Sequence, residues 1–138
     1  MELVFCDECL FNGKQLPNAA WSSKGENLQQ QHMRKFEPCM AVVAAISSER
    51  GLIHYLMREK SIKAVDFLEF LKELKEKSPN RIVLMLDNAS IHKGKACKEF
   101  CLAHDIHIVW NVPYQPWYNS QEYFWQHAKK SWRERNLK

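Results

Sequence analysis

The chain has 138 residues, which is enough for one domain around one hydrophobic core, and we expect residues 1–138 to form it. Hydrophobic residues make up 46% and charged residues 26%, as in an ordinary soluble globular protein, and the formal charge of +4 permits a nucleic-acid partner without demanding one. No apolar run approaches the roughly 20 residues that span a bilayer, and no signal-peptide pattern opens the chain. These features exclude a membrane partner and predict an intracellular protein.

The first apolar run, Leu3-Val4-Phe5-Cys6, leads into two acids and predicts a strand within residues 2–11. Side chains alternate along a regular strand, so Asp7 and Glu8 should point to opposite faces. Only one of them could then share a site with an acid on a neighbouring strand. Residues 12–38 hold scattered glycine and proline and predict a long loop, with one short strand around residues 19–23.

Residues 39–57 predict an antiparallel hairpin, because two apolar runs flank the turn Ser47-Ser48-Glu49-Arg50-Gly51. From Lys60 to Lys77 the period changes, and apolar residues recur every three positions among Glu and Lys. This pattern is typical of an amphipathic helix that ends at Ser78-Pro79-Asn80. Its predicted apolar face consists of Val65, Leu68, Leu71 and Leu74.

The run Ile82-Val83-Leu84-Met85-Leu86 ends at Asp87 and predicts a strand buried on both faces. Sites in open α/β sheets are built at the carboxyl ends of such strands. A helix to His104, a strand over residues 106–110, a turn-rich loop and a final helix from Ser120 follow. The predicted fold class is therefore α/β, with a mixed sheet flanked by helices and an antiparallel edge formed by the hairpin.

Five cysteines are an odd number without the density of a disulfide scaffold, so we expect reduced thiols. Cys6 and Cys9 form a C-x-x-C pattern, but they continue a strand-like run and do not open a helix, as a redox motif requires. A zinc site stays open as an alternative. Its candidate ligands are Cys97, Cys101, His104 and His107.

Three acids stand out as a candidate catalytic set: Asp7, Asp87 and Glu122. If the two aspartates lie on neighbouring strands, their carboxylates are about 5 Å apart, and like charges that close call for a cation. Oxygen ligands suit Mg²⁺ or Mn²⁺. Three carboxylates can hold two such ions about 3.5–4 Å apart, which is the arrangement for in-line attack on a phosphodiester.

Four segments resemble the DDE transposases of the mariner-like superfamily and related bacterial insertion-sequence enzymes. They are residues 5–8 (Phe-Cys-Asp-Glu), 21–25 (Trp-Ser-Ser-Lys-Gly), 83–92 with Asp-Asn-Ala-Ser-Ile-His, and 113–125 with Pro-Tyr-Gln-Pro and Asn-Ser-Gln-Glu. The 34 residues between Asp87 and Glu122, numbers 88–121, match the interval of one branch of that family. The chain departs from the family pattern at Trp117, Tyr118 and Ser120.

The resemblance implies a ribonuclease-H-like fold with Asp7, Asp87 and Glu122 as ligands of two Mg²⁺ or Mn²⁺ ions. It also implies cleavage of DNA at transposon ends, transfer of the 3′-hydroxyl to target DNA, and a homodimer in the active complex. Such a protein would be associated with DNA, in the nucleus of a eukaryote or in the bacterial cytoplasm and nucleoid. Family members carry N-terminal helix-turn-helix domains, which we do not expect within this chain.

Other residues are candidates for supporting roles. Glu8, Asn88 and His92 could orient a ligand or contact a phosphate, and His92 could itself bind metal. Asn88 could instead cap the following helix, as Asn119 could cap the helix that carries Glu122. DNA contacts are predicted for a basic and aromatic set, whose alternative is an ordinary solvated surface. This set is Lys93, Lys95, Trp117, Lys129, Lys130 and Arg133.

Three other functions compete with the transposase. One is a nuclease of the same fold that cuts RNA–DNA hybrids or DNA junctions. Another is a domesticated or decayed copy that acts as a non-catalytic DNA-binding or interaction module. The last is a zinc- or thiol-based protein. The complete acid triad and the Pro-Tyr-x-Pro loop favour the transposase.

Overall fold

The computed structural model describes residues 1–12, 39–111 and 121–136. Within them, five strands form one mixed sheet in the order β3-β2-β1-β4-β5. The strands are β1 (Glu2–Phe11), β2 (Met40–Ser47), β3 (Gly51–Glu59), β4 (Ile82–Leu86) and β5 (Ile106–Trp110). The helices are α1 (Ala64–Lys77), α2 (Lys95–Ala103) and α3 (Gln121–Asn136). The predicted loop and short strand before β2 lie outside the described residues.

β1 is the central strand and joins two kinds of pairing. It pairs antiparallel with β2, which pairs antiparallel with β3, so the predicted hairpin is confirmed. On its other side β1 pairs parallel with β4, which pairs parallel with β5. The predicted mixed sheet with an antiparallel edge is therefore confirmed. No helix among the described residues is long and apolar enough to cross a membrane.

One face of the sheet packs against α1 and α2 and forms the larger hydrophobic cluster. The buried side of α1 consists of Phe67, Phe70, Leu71 and Leu74. The predicted face was wrong at Val65, which is 72% exposed, because a three-residue repeat drifts away from the 3.6-residue turn of a helix. The two phenylalanines, at positions i and i+3 before Leu71 and Leu74, complete the true apolar stripe.

The opposite face is covered by α3. Trp125 is buried there with Cys9, Val42 and Ala44, and its ring meets Phe11 edge-on with centroids 6.3 Å apart. Among the described helices, one (α3) packs on this face, whereas two (α1 and α2) pack on the first. Accordingly β4, which was predicted to be buried on both faces, alternates between buried and half-buried residues along its length.

The segment after β4 also differs from its prediction. In place of one helix to His104, a short 3₁₀ helix (Ser90–Lys93) is followed by Gly94 and then by α2. Gly94 has extended backbone angles (φ −55°, ψ 140°), so the chain changes direction there. His92 lies in the 3₁₀ helix before this break, and its side chain packs beneath the end of β4.

Candidate active site

The parallel pairing of β1 with β4 brings the first two predicted acids together. The register runs from Glu2 opposite Ile82 to Phe5 opposite Met85. Two further residues at the same offset set Asp7 beside Asp87, just after β4 ends at Leu86. Both residues then lie on one side of the sheet, at the carboxyl ends of adjacent strands, where open α/β sheets build their sites.

Asp7 lies in surroundings that oppose its ionisation. Burial is the main reason that the pKa of Asp7 rises from 3.8 to about 6. The backbone N–H of Glu8, which donates to Asp7 Oδ1 at 2.8 Å, opposes the rise, while the negative charges of Asp87 and Glu8 add to it. The indole of Trp125 also lowers the pKa of Asp7. Asp7 and Asp87 are thus close enough to repel each other, and a bound cation would remove that repulsion.

His92 connects the two strands through a pair of carboxylates. Its ring is fully buried, 4.5 Å from the ring of Phe67 between centroids. Nε2 lies 2.6 Å from Glu8 Oε1, and Nδ1 lies 3.0 Å from Asp87 Oδ1 and 3.2 Å from the Asp87 carbonyl oxygen. Both nitrogens face acceptors, so the doubly protonated ring satisfies both contacts. Burial alone would lower the pKa of His92, but Glu8 and then Asp87 outweigh it and raise the pKa.

The contacts of His92 with Glu8 and Asp87 correct one prediction about β1. Asp7 and Glu8 do lie on different faces, but the expectation that only one of them could join Asp87 does not hold. Asp7 interacts with Asp87 through charge, and Glu8 reaches Asp87 through His92. Both ring nitrogens of His92 are engaged by these contacts, which favours an orienting role for the ring.

Asp87 and Asn88 occupy the exposed end of β4. The side chain of Asp87 is 54% exposed, and its Oδ1 accepts a hydrogen bond from the Ala89 N–H at 3.1 Å. Asn88 is exposed and caps neither of the following helices. The residues at those cap positions are Ala89 and Gly94, and neither makes a side-chain cap bond. The capping role predicted as an alternative for Asn88 is therefore wrong.

Glu122 lies in the first turn of α3 and is exposed. The residue before it, Gln121, is buried and bonds to the backbone of β1 and β2, while Trp125 packs on Cys9 one turn later. α3 therefore runs along β1, and its first turn lies over the part of β1 that contains Asp7. Within residues 1–12, 39–111 and 121–136, no three His, Cys, Asp or Glu side chains converge as ready-made metal ligands.

The basic candidates lie on two sides of the sheet. Lys93 and Lys95 are exposed beside His92, and Lys95 Nζ lies 3.7 Å from Glu99. Lys130 and Arg133 are exposed on α3, whereas Lys129 is half-buried and interacts with the Cys9 thiol. At a rise of about 1.5 Å per residue, Arg133 is about 16 Å along the helix from Glu122. Asn119 and Trp117 lie outside the described residues.

The thiols do not form the alternative zinc site in the part of the chain that the structure describes. Cys6 and Cys9 are three residues apart on a strand, so they face opposite sides of the sheet and belong to different hydrophobic clusters. Cys97 and Cys101 are buried against the α1 side, and all four thiols are free. Their burial makes them core residues.

Comparison with known proteins agrees with this architecture. The Mos1 transposase paired-end complex with left transposon end is similar at a TM-score of 0.72 and 16% identity, over 94% of this chain and 41% of that chain. The catalytic domain of Mos1 mariner transposase gives 0.66 and 14%, over 94% and 58%. The Mos1 transposase catalytic domain with Raltegravir and Mg gives 0.65 and 13%, over 94% and 59%. No curated protein sequence matches significantly.

These likenesses establish the ribonuclease-H-like fold predicted from the sequence, and the chain spans about half the length of the structures that it matches. The sequence model of one family, described as DDE superfamily endonuclease, matches residues 2–138. That match extends over nearly the whole chain and includes all three predicted acids. The chain therefore belongs to the DDE superfamily endonuclease family.

Proposed function

We propose that this chain is the catalytic domain of a metal-dependent DNA transposase, which cuts DNA at transposon ends and joins the 3′-hydroxyl to target DNA. The observation that carries the proposal is the pair Asp7 and Asp87 at adjacent strand ends, where the mutual charge helps to raise the pKa of Asp7 to about 6. Family membership and the similarity to Mos1 transposase structures support the same reaction class.

Asp7, Asp87 and Glu122 would hold two Mg²⁺ or Mn²⁺ ions. Their oxygen atoms suit hard divalent cations, and a cation would offset both the burial of the Asp7 charge and its repulsion by Asp87. When bound, the ions would activate the attacking water or 3′-hydroxyl and stabilise the leaving oxygen. His92 would keep the Asp87 carboxylate in one orientation, because its ring is fixed on the other side by Glu8.

DNA would approach the exposed side of Asp87. Lys93 and Lys95 are exposed near that residue and would contact phosphates without reading sequence, as would Lys130 and Arg133 on α3. Lys129 is a weaker candidate because its side chain interacts with Cys9. We also propose, from the two ends that a transposon has, that the active complex is a homodimer on DNA.

Mn²⁺ binding by titration calorimetry tests the proposal. Asp87→Asn should weaken binding at least about tenfold while the circular dichroism spectrum stays unchanged. Asp105→Asn is the matched control, because Asp105 is 72% exposed before β5 and its φ of 57° is one that asparagine adopts readily. Equal Mn²⁺ affinity in all three proteins would refute Asp87 as a ligand.

Nicking of supercoiled plasmid in Mn²⁺ provides the catalytic measurement. The native chain and Asp105→Asn should nick, and Asp87→Asn should not. Plasmid binding by the native chain without any nicking would instead support the non-catalytic DNA-binding module, which is the alternative function for this chain.

A further inference from the structure

Gln121 is a polar side chain in an apolar position. It is the first residue of α3, and its side chain is 0% exposed. Its amide Nε2 donates to the carbonyl oxygen of Phe5 at 2.5 Å and to that of Ala44 at 3.0 Å. Burying an amide is unfavourable unless it is hydrogen-bonded, so these bonds are required to keep Gln121 in place.

The two acceptors belong to different strands, and both are close to Asp7. Phe5 precedes Asp7 by two residues on β1, and Ala44 is the residue of β2 that pairs with Asp7. A single amide group thus joins the start of α3 to two adjacent strands at the level of the candidate site. The helix cannot slide along β1 or roll about its axis without lengthening one of these bonds.

A second anchor in the first two turns of α3, Trp125, acts mainly through apolar packing, and its indole also interacts with Asp7. Trp125, four residues after Gln121 and on the same side of the helix, packs on Cys9 and Ala44 by apolar contact. Apolar packing tolerates small shifts, whereas hydrogen bonds weaken steeply as they bend or lengthen. The location of the helix start is therefore defined by Gln121 to a degree that Trp125 alone does not provide.

We propose that Gln121 is a positioning residue, whose two hydrogen bonds to β1 and β2 set the adjacent Glu122 at the distance from Asp7 that metal binding needs. This inference rests on the proposed function, since it takes Glu122 as a ligand. Because Gln121 is fully buried, its side chain would contact neither metal nor DNA. Its effect passes through the backbone of the first turn of α3 to the next residue.

A double-mutant cycle on Mn²⁺ affinity tests this role. Gln121→Met keeps a similar length but removes both donors, and Glu122→Gln removes the ligand charge. Each single variant should weaken Mn²⁺ binding about tenfold, as changes to groups that orient metal ligands typically do. In the Glu122→Gln background, Gln121→Met should cause no further loss, because its effect acts through Glu122. The same exchange at the exposed Gln126 of α3, Gln126→Met, is the control and should leave the affinity unchanged.

The outcomes separate this inference from the proposed function. If Glu122→Gln binds Mn²⁺ like the native chain, Glu122 is no ligand and both ideas are refuted. If Glu122→Gln weakens binding but Gln121→Met only lowers the melting temperature, the role of Gln121 is purely structural and this inference alone is overturned. Should Gln121→Met fail to fold, Gln121→Asn keeps the donors but shortens their reach by one methylene. It should produce the same loss of affinity, and an unchanged affinity would overturn the inference.

Discussion

Replacing Asp7 by asparagine should stabilise the metal-free protein. Burial is the main cause of the rise in the pKa of Asp7 from 3.8 to about 6, with the charges of Asp87 and Glu8 contributing. The difference between these pKa values corresponds to about 3 kcal/mol by which ionised Asp7 lowers the free energy of unfolding at pH 7. In the variant D7N the amide side chain has a similar shape to the carboxylate, carries no charge, and can still accept the hydrogen bond from the Glu8 N–H.

The sign of the pH dependence follows from proton binding. Below pH 3.8 Asp7 is protonated in both states, so its charge has no effect on stability. Between pH 3.8 and about 6 the unfolded chain loses this proton first, and the native protein is progressively destabilised. The stability gap between D7N and the native chain should be about 0.5 kcal/mol at pH 4 and about 3 kcal/mol at pH 7.

Urea unfolding followed by circular dichroism measures this gap. The same exchange of acid for amide at Glu76, which is exposed on α1, is the control and should change stability little at either pH. Millimolar Mn²⁺ should stabilise the native chain more than D7N and so narrow the gap at pH 7. The reasoning is refuted if D7N is no more stable than the native chain at pH 7, or if the gap is the same at both pH values.

Two further predictions concern buried groups. His92→Gln should lower the free energy of unfolding by about 2–4 kcal/mol at pH 6, because a buried charged contact to Glu8 and Asp87 is lost. Because the pKa of His92 is raised in the folded state, the stability gained from the charged ring is complete below about pH 6.5 and is lost at higher pH. The loss of unfolding free energy in His92→Gln, measured by urea unfolding, should therefore be smaller at pH 9 than at pH 6. An equal loss at both pH values would contradict this reasoning. Alkylation followed by mass spectrometry should label the half-buried Cys39 before the other four thiols. Burial raises the pKa of those four thiols and limits access to them. Early labelling of any of the four would contradict their core position. Those thiols are Cys6, Cys9, Cys97 and Cys101.

The strands and their order of appearance could be predicted because each has a local signal. The apolar runs before Asp7 and Asp87, and the turn at residues 47–51, depend only on neighbouring residues. The apolar face of α1 was predicted correctly at Leu71 and Leu74 but wrongly at Val65, because a repeat of three was followed where the helix turn needs positions i, i+3, i+4 and i+7. The spacing of Phe67 and Phe70 before Leu71 and Leu74 is the signal in the sequence that identifies the buried face correctly.

Contacts between distant residues could not be predicted in the same way. His92 meets Glu8 only because the chain breaks at Gly94 and β1 lies beside β4, and neither fact is a property of the local sequence. Gln121 was overlooked because a glutamine near a helix start usually faces water. A usable signal existed in its spacing of four residues from Trp125, which places both on one side of α3.

The central position of β1 also has a consequence for how the protein folds. Asp7 and Asp87 are 80 positions apart in the sequence, and their strands pair in parallel, so the two acids meet only after a long loop closes. Pairings of this kind form slowly in folding, later than local hairpins such as β2–β3. We expect a folding intermediate that contains the hairpin and α1 to have no paired carboxylates, so the candidate site should form only when the sheet is complete.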